Sequence, residues 1–138
     1  MRILIVDDQA SIRSLVRISL RQIGIRQCAE AVDGQDALGL LTREDFDLVI
    51  SDLNMPKMDG LAFLKAMRSI DRYRATPFML LTGSANTDAI LAARDLKITA
   101  VIAKPFAMAE FAKRLEPILA SRLSPRDAGG AVAEAMTG

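Results

Sequence analysis

Histidine is absent from the 138 residues. Its absence removes the usual general base, the usual zinc ligand and any phosphohistidine chemistry from this chain. Cysteine is nearly absent as well. Cys28 alone excludes an internal disulfide framework, fits a reducing compartment, and reads as a small buried apolar side chain. A charge of one sign is also missing: 18 Lys and Arg stand against 17 Asp and Glu, a net charge of +1, dispersed without a basic patch. That balance gives no electrostatic case for nucleic acid or for an anionic membrane. Long apolar runs are lacking too. The amino-terminal one, Ile3-Leu4-Ile5-Val6, stops at Asp7-Asp8, too short for a signal peptide or a membrane span, so a cytoplasmic chain is expected.

What the chain does have is a set of short, wholly apolar runs, each followed at once by a polar residue. Asp7 and Asp8 follow Ile3 to Val6, Asp52 follows Leu48 to Ser51, Thr82 follows Phe78 to Leu81, and Lys104 follows Ala100 to Ala103. Runs rich in Val, Ile and Leu without alternation fit strands buried on both faces, as a parallel sheet requires. The stretches between them are long enough for crossover helices, and several carry apolar residues at helical spacing. Ile12, Leu15, Val16, Leu20 and Ile23 form one stripe, and Met108, Phe111, Ala112, Leu115, Ile118 and Leu119 another.

The other elements are less marked. Residues 26–32, mixed in polarity, predict a second strand at a sheet edge, followed by a helix carrying Ala37, Leu38 and Leu41. A third helix is expected from near Gly60, and a short fourth over Ala89 to Arg94. The sum is a βα unit repeated five times, hence a doubly wound α/β domain with right-handed crossovers and helices on both faces. One domain accommodates the length, and 51% hydrophobic residues are ample for its core. The domain is expected over residues 1–123. Residues 124–138, rich in Pro, Ala and Gly, read as a disordered tail or linker. Pro117 falls inside the last stripe, where it removes a backbone hydrogen bond at a cost of about 3 kcal/mol, and predicts a kink or an early end near Glu116.

If the apolar runs are parallel strands, Asp7, Asp8, Asp52, Thr82 and Lys104 meet at one edge of the sheet. Three carboxylates, a hydroxyl and an ammonium there describe a site for a divalent cation and a phosphoryl group. Clustered carboxylates repel one another unless a cation lies among them. An oxygen-only site suits magnesium, which needs few protein ligands because it keeps several waters. Each residue also has an ordinary reading. Asp7 or Asp8 fits a cap on the helix beginning near Ala10, Thr82 a turn residue, and Lys104 a solvated charge. Joint placement favours the site. Pro56 and Gly60 read as loop-shaping residues, Phe106 as core, and Met55 and Met58 as either gap fillers or a partner surface.

In these residues the chain resembles the receiver domain of bacterial two-component response regulators, closest in scale to the stand-alone chemotaxis type, over roughly Arg2 to Leu123. The resemblance is carried by Asp7-Asp8, by Asp52 within Asp52-Leu53-Asn54-Met55-Pro56-Lys57-Met58-Asp59-Gly60, by Thr82-Gly83, and by Lys104-Pro105-Phe106. It implies a flavodoxin-like five-stranded parallel sheet of order 2-1-3-4-5 with the site at its carboxyl edge. It implies magnesium held by the Asp8 and Asp52 side chains and the Asn54 backbone carbonyl, with Asp7 acting through water or orienting the ligands. Asp52 is the expected nucleophile, forming an acyl phosphate, while Lys104 and Thr82 bind phosphoryl oxygens. No general base is needed by a carboxylate nucleophile, which fits a chain without histidine.

The resemblance also sets expectations about partners. A histidine kinase or a histidine phosphotransfer protein would donate the phosphoryl group to a stand-alone, monomeric receiver. Its output would be docking to a protein target such as a flagellar motor switch, or onward relay, with no nucleic acid and no membrane involved. In the family an aromatic residue on the fifth strand turns inward on phosphorylation; here that position, three before Lys104, is Val101, which is stiff. The expected signal is therefore displacement around Thr82 to Arg94, with the only tyrosine, Tyr73, lying elsewhere. Asn54 and Ser84 flank the path of an attacking water and are expected to tune the phosphoryl lifetime. The protein is not expected to be an enzyme beyond its own phosphorylation and slow dephosphorylation. A haloacid-dehalogenase-type phosphatase would need an acid/base Asp where Asn54 stands. A pseudo-receiver that binds partners without phosphorylation is the other alternative.

Overall fold

Successive side chains of a buried strand point to opposite faces of the sheet, so strands made only of apolar residues must feed two cores at once. The computed structural model describes residues 1–83 and 87–122, and in it this is what happens. The elements are β1 (Ile3–Val6), α1 (Ala10–Gln22), β2 (Cys28–Ala31), α2 (Gly34–Arg43), β3 (Leu48–Asp52), α3 (Gly60–Arg68), a 3-10 turn (Asp71–Tyr73), β4 (Phe78–Thr82), α4 (Thr87–Asp95), β5 (Ala100–Ala103) and α5 (Met108–Arg122). All strand pairs are parallel, in the order β2-β1-β3-β4-β5.

On one face, Ile3, Ile5, Leu48, Ile50, Met79, Leu81 and Ile102 pack against Val16 and Leu20 of α1 and Phe111, Leu115 and Ile118 of α5. On the other, Leu4, Val6, Val49, Phe78 and Leu80 pack against α2, α3 and Ala93 of α4. Phe63 of α3 and Phe78 meet with ring centroids 5.9 Å apart, tilted by 50°. Each such side chain, wholly buried, contributes about 1.5–3 kcal/mol. The doubly wound reading of the sequence is thus observed, with two helices below the sheet and three above.

Differences from the expected elements have local causes. β2 is shorter than residues 26–32 because Arg26 and Gln27 are exposed; only the Gln27 carbonyl joins the pairing, accepting from the Ile3 N–H at 3.0 Å. α4 extends beyond Ala89 to Arg94 by two residues at its start and one at its end. α5 does not end near Glu116 but runs through Pro117 to Arg122. Pro117 and Lys113, whose carbonyl loses its helical donor, are both exposed, so water can take that donor's place. Neither Asp7 nor Asp8 caps α1, since its N-cap is Gln9 without a side-chain bond. The tail expected over 124–138 and Ser84 lie outside the described residues.

At the end of the sheet away from the polar residues, one buried and one half-buried polar side chain tie helix termini together. The Tyr73 hydroxyl lies 2.9 Å from the Leu41 carbonyl and 2.8 Å from that of Glu44, at the end of α2. Arg68 donates to the carbonyls of Tyr73 (2.8 Å), Leu96 (2.8 Å) and Lys97 (3.0 Å). Lys97 lies in the left-handed region with φ 64°, closing α4. A guanidinium facing the carbonyls just past the end of α4 satisfies groups of the turn that closes the helix and complements its negative end.

Candidate functional site

Parallel strands end in register, and so the residue that follows each apolar run arrives at the same edge. Val6 is level with Ser51 on β3, Asp52 with Leu81 on β4, and Thr82 with Ala103 on β5. Asp7, Asp8, Asp52, Thr82 and Lys104 accordingly surround the carboxyl ends of the four central and outer strands. Carboxylate oxygens of Asp7, Asp8 and Asp52 lie within 4.8 Å of one another, with Asp7 and Asp52 buried and Asp8 exposed. This oxygen-only set, open to solvent on the Asp8 side, fits a hard divalent cation that keeps waters.

Lys104 enters the cluster from β5. Its ammonium lies 2.7 Å from Asp7 Oδ2 and 3.3 Å from Asp52 Oδ1. Its backbone N–H donates to the Thr82 carbonyl at 2.8 Å, so the two residues are joined through the main chain. The Lys104–Pro105 peptide that follows is cis. Asp7 Oδ1 accepts from the Gln9 N–H at 2.9 Å, so each of its oxygens has a donor. Burial holds the Asp52 carboxyl above its ordinary pKa; the Lys104 ammonium opposes that shift and the nearby Asp7 carboxylate adds to it. Thr82 is 5% exposed at the end of β4.

Asn54 is exposed in the loop after Asp52. Gly60 ends that loop and opens α3: its N–H donates to the Leu53 carbonyl at 2.7 Å, and Asp59 Oδ1 caps the helix by accepting from the Ala62 N–H at 2.8 Å. A Cβ at Gly60 would stand 2.2 Å from the Asp52 carbonyl oxygen. Met55 and Met58 pack partly buried against the upper core, as gap fillers do, and Phe106 is core, stacked on Phe111. Val101 is half-buried and lines a groove of about 420 Å³ with Ile90, Arg94, Ile98 and Arg114. Cys28 is only half-buried, because it lies on the edge strand; burial raises its thiol pKa against the opposing pull of Arg17, Arg21 and Arg2.

One residue of the site's frame was not legible in the sequence. Arg13 Nη1 donates to the Asp7 carbonyl at 2.6 Å while its Nε pairs with Glu30 on β2 at 2.8 Å. It thereby fixes the backbone on which Asp7 stands. An arginine early in a helix reads as a solvated charge, and nothing in its spacing marks it otherwise.

Most of the chain is similar to known proteins. A family model described as the response regulator receiver domain matches residues 3–116. The protein of Rhizobium etli named Probable chemotaxis protein CheY is 37% identical over 117 residues, covering 85% of this chain and 91% of that protein. Chemotaxis protein CheY-3 of Vibrio cholerae is 37% identical over 118 residues, covering 86% and 91%. The solved structure of the chemotaxis response regulator CheY4 of Vibrio cholerae superposes with a TM-score of 0.78 at 34% identity, covering 85% of this chain and 97% of that one.

Proposed function

The chain belongs to the response regulator receiver domain family, and from that premise we propose that it accepts a phosphoryl group on Asp52 and signals by docking to another protein. The observation that carries the reading is the Asp52 carboxylate, 6% exposed, beside the Lys104 ammonium and grouped with Asp7 and Asp8. A buried carboxylate at a strand end, surrounded by further carboxylates and one ammonium, has little structural purpose. It has a chemical one.

In the proposed step an Asp52 carboxylate oxygen attacks phosphorus, an O–P bond forms, and the donor's bond to phosphorus breaks with its electron pair leaving on the donor. With histidine absent from this chain, the donor is a phosphohistidine on a histidine kinase or phosphotransfer protein. Lys104 meets the negative charge on the transferred oxygens, its three N–H donors leaving one for a phosphoryl oxygen beside Asp7 and Asp52. The Thr82 hydroxyl, at the neighbouring strand end, donates to another oxygen. Asp8, Asp52 and the Asn54 carbonyl would hold magnesium, with Asp7 orienting them. What magnesium supplies when bound is neutralisation of charge on the carboxylates and the phosphoryl oxygens. Catalysis of this kind is positioning and electrostatics, and in this reading the chain applies it to its own phosphorylation and slow dephosphorylation.

The output target is a protein, and the relatives' names favour a chemotaxis component such as a flagellar motor switch. The reading carries a cytoplasmic location with it; among the described residues no helix is long and apolar enough to cross a membrane. The test is intact-protein mass spectrometry after incubation with magnesium and a small-molecule phosphodonor. One phosphoryl adduct in the wild type and none in Asp52→Asn supports the reading. No adduct on the folded wild type, alongside a working control receiver, replaces it with a pseudo-receiver that binds partners without phosphorylation.

A further inference from the structure

A backbone carbonyl that serves as a metal ligand has no side-chain torsions with which to adjust. Its position is set entirely by whatever holds the loop, and magnesium tolerates little departure from octahedral geometry. The loop between Asp52 and α3 is held at its ends by the Gly60 N–H on the Leu53 carbonyl at 2.7 Å. Within it, the Met58 N–H donates to the Pro56 carbonyl at 2.7 Å, and Lys57 adopts φ 65°, an unusual conformation for a side-chain-bearing residue. Neither feature fixes the far side of the loop.

That side rests on another element. The Gly34 N–H, at the start of α2, donates to the Met58 carbonyl at 3.2 Å. The Met58 side chain lies so close over Gly34 that a Cβ there would stand 2.7 Å from Met58 Cγ and 2.9 Å from Sδ. Asp33, 4% exposed, caps α2 through Oδ1, which accepts from the Asp36 N–H at 2.8 Å, and its Oδ2 lies 4.0 Å from the Lys57 ammonium. Gly34 does not adopt a positive φ, so its backbone conformation does not demand glycine. The demand comes from Met58, which occupies the place of its side chain.

We propose that the Asp33–Gly34 turn is a positioning element for the metal site: by seating Met58 it fixes the loop that carries the Asn54 carbonyl, and so sets magnesium affinity from a helix that contributes no ligand. The inference rests on the magnesium reading above. Groups that only orient ligands commonly change metal affinity by about 10- to 100-fold when removed.

The test is calorimetric titration of magnesium alone into the full chain, without phosphodonor, for the wild type, Gly34→Ala, Met58→Ala and the double variant, with the melting temperature in EDTA measured in parallel. Met58→Ala takes atoms away from a half-buried position and keeps the fold available where Gly34→Ala, which forces an atom in, does not. Met58→Ala is expected to raise the dissociation constant about tenfold while barely moving the metal-free melting temperature. Gly34→Ala is expected to weaken binding at least as much. Because both act through one contact, the double variant is expected to bind no more weakly than the worse single variant. Folded Met58→Ala binding magnesium within twofold of the wild type overturns the inference alone, as does a double variant whose losses add. A wild type that binds no magnesium overturns the metal reading, and this inference with it.

Discussion

The Lys104 ammonium stands closer to Asp7, at 2.7 Å, than to Asp52, at 3.3 Å. Lysine therefore serves first as counterion to a carboxylate that is wholly buried, and only second as neighbour to the proposed acceptor. The two contacts compete for one positive charge.

Lys104→Met takes that charge away and leaves two buried carboxylates facing each other. Breaking a buried ion pair from one side costs about 3 kcal/mol or more. Urea denaturation at pH 7 in EDTA is expected to show a loss of that size, partly recovered by magnesium. A loss below about 1 kcal/mol would mean that water already screens the pair.

Asp52→Asn acts in the opposite direction. Burial raises the Asp52 pKa in the folded state above its ordinary value of 3.8. The fold thus binds this proton more tightly than the unfolded chain does, and stability from this group is present below the unfolded pKa and lost as pH rises through the folded one. At pH 7 the ionised carboxylate is a burden that the amide lacks. Calorimetry in EDTA is expected to give the variant a higher melting temperature at pH 7, with the advantage vanishing near pH 4. A lower melting temperature at pH 7 would place the attraction to Lys104 above the cost of burial.

Magnesium is expected to stabilise the wild type by mass action, about 2.7 kcal/mol at a concentration 100-fold above its dissociation constant. Asp8 is the exposed member of the carboxylate group. Asp8→Asn should leave the metal-free melting temperature nearly unchanged and remove most of the magnesium-induced rise. Equal rises in both proteins would exclude Asp8 as a ligand.

Among the described glycines, Gly60 is where an added methyl should do most damage. Its Cβ would meet the Asp52 carbonyl oxygen at 2.2 Å and Leu53 Cα at 2.9 Å, both backbone atoms that cannot swing aside. Overpacking of this kind is expected to cost about 3 kcal/mol, measured as a shift in the urea midpoint at unchanged slope.

The fold was largely legible because four of the strands are apolar but for the polar residues at the carboxyl ends of β3 and β4, and a parallel sheet buried on both faces permits little else. Cys28–Ala31 was hard to delimit for the opposite reason: as an edge strand it is half-buried, and its composition carries no single period. Pro117 misled because a proline costs a helix less where the freed carbonyl faces water. At the site, residues that end strands announced themselves by position. Those that brace it did not. Gly34 reads as an ordinary helix start because its partner Met58 is near it only in space, and Arg13 as a surface charge because its spacing of six residues from Asp7 does not tell that the guanidinium turns back to that carbonyl.

A sheet with an independent core on either side also behaves as a partition wall. Packing errors introduced in α1 or α5 are felt by one layer and hardly by the other, since side chains of the two cores are separated by backbone. Substitutions can therefore accumulate on the α1 and α5 side without retuning α2, α3 and α4, while the shared edge keeps its chemistry. For a lineage of such proteins, this means that the surfaces met by different partners can diversify separately, each as an evolutionary experiment that leaves the other running.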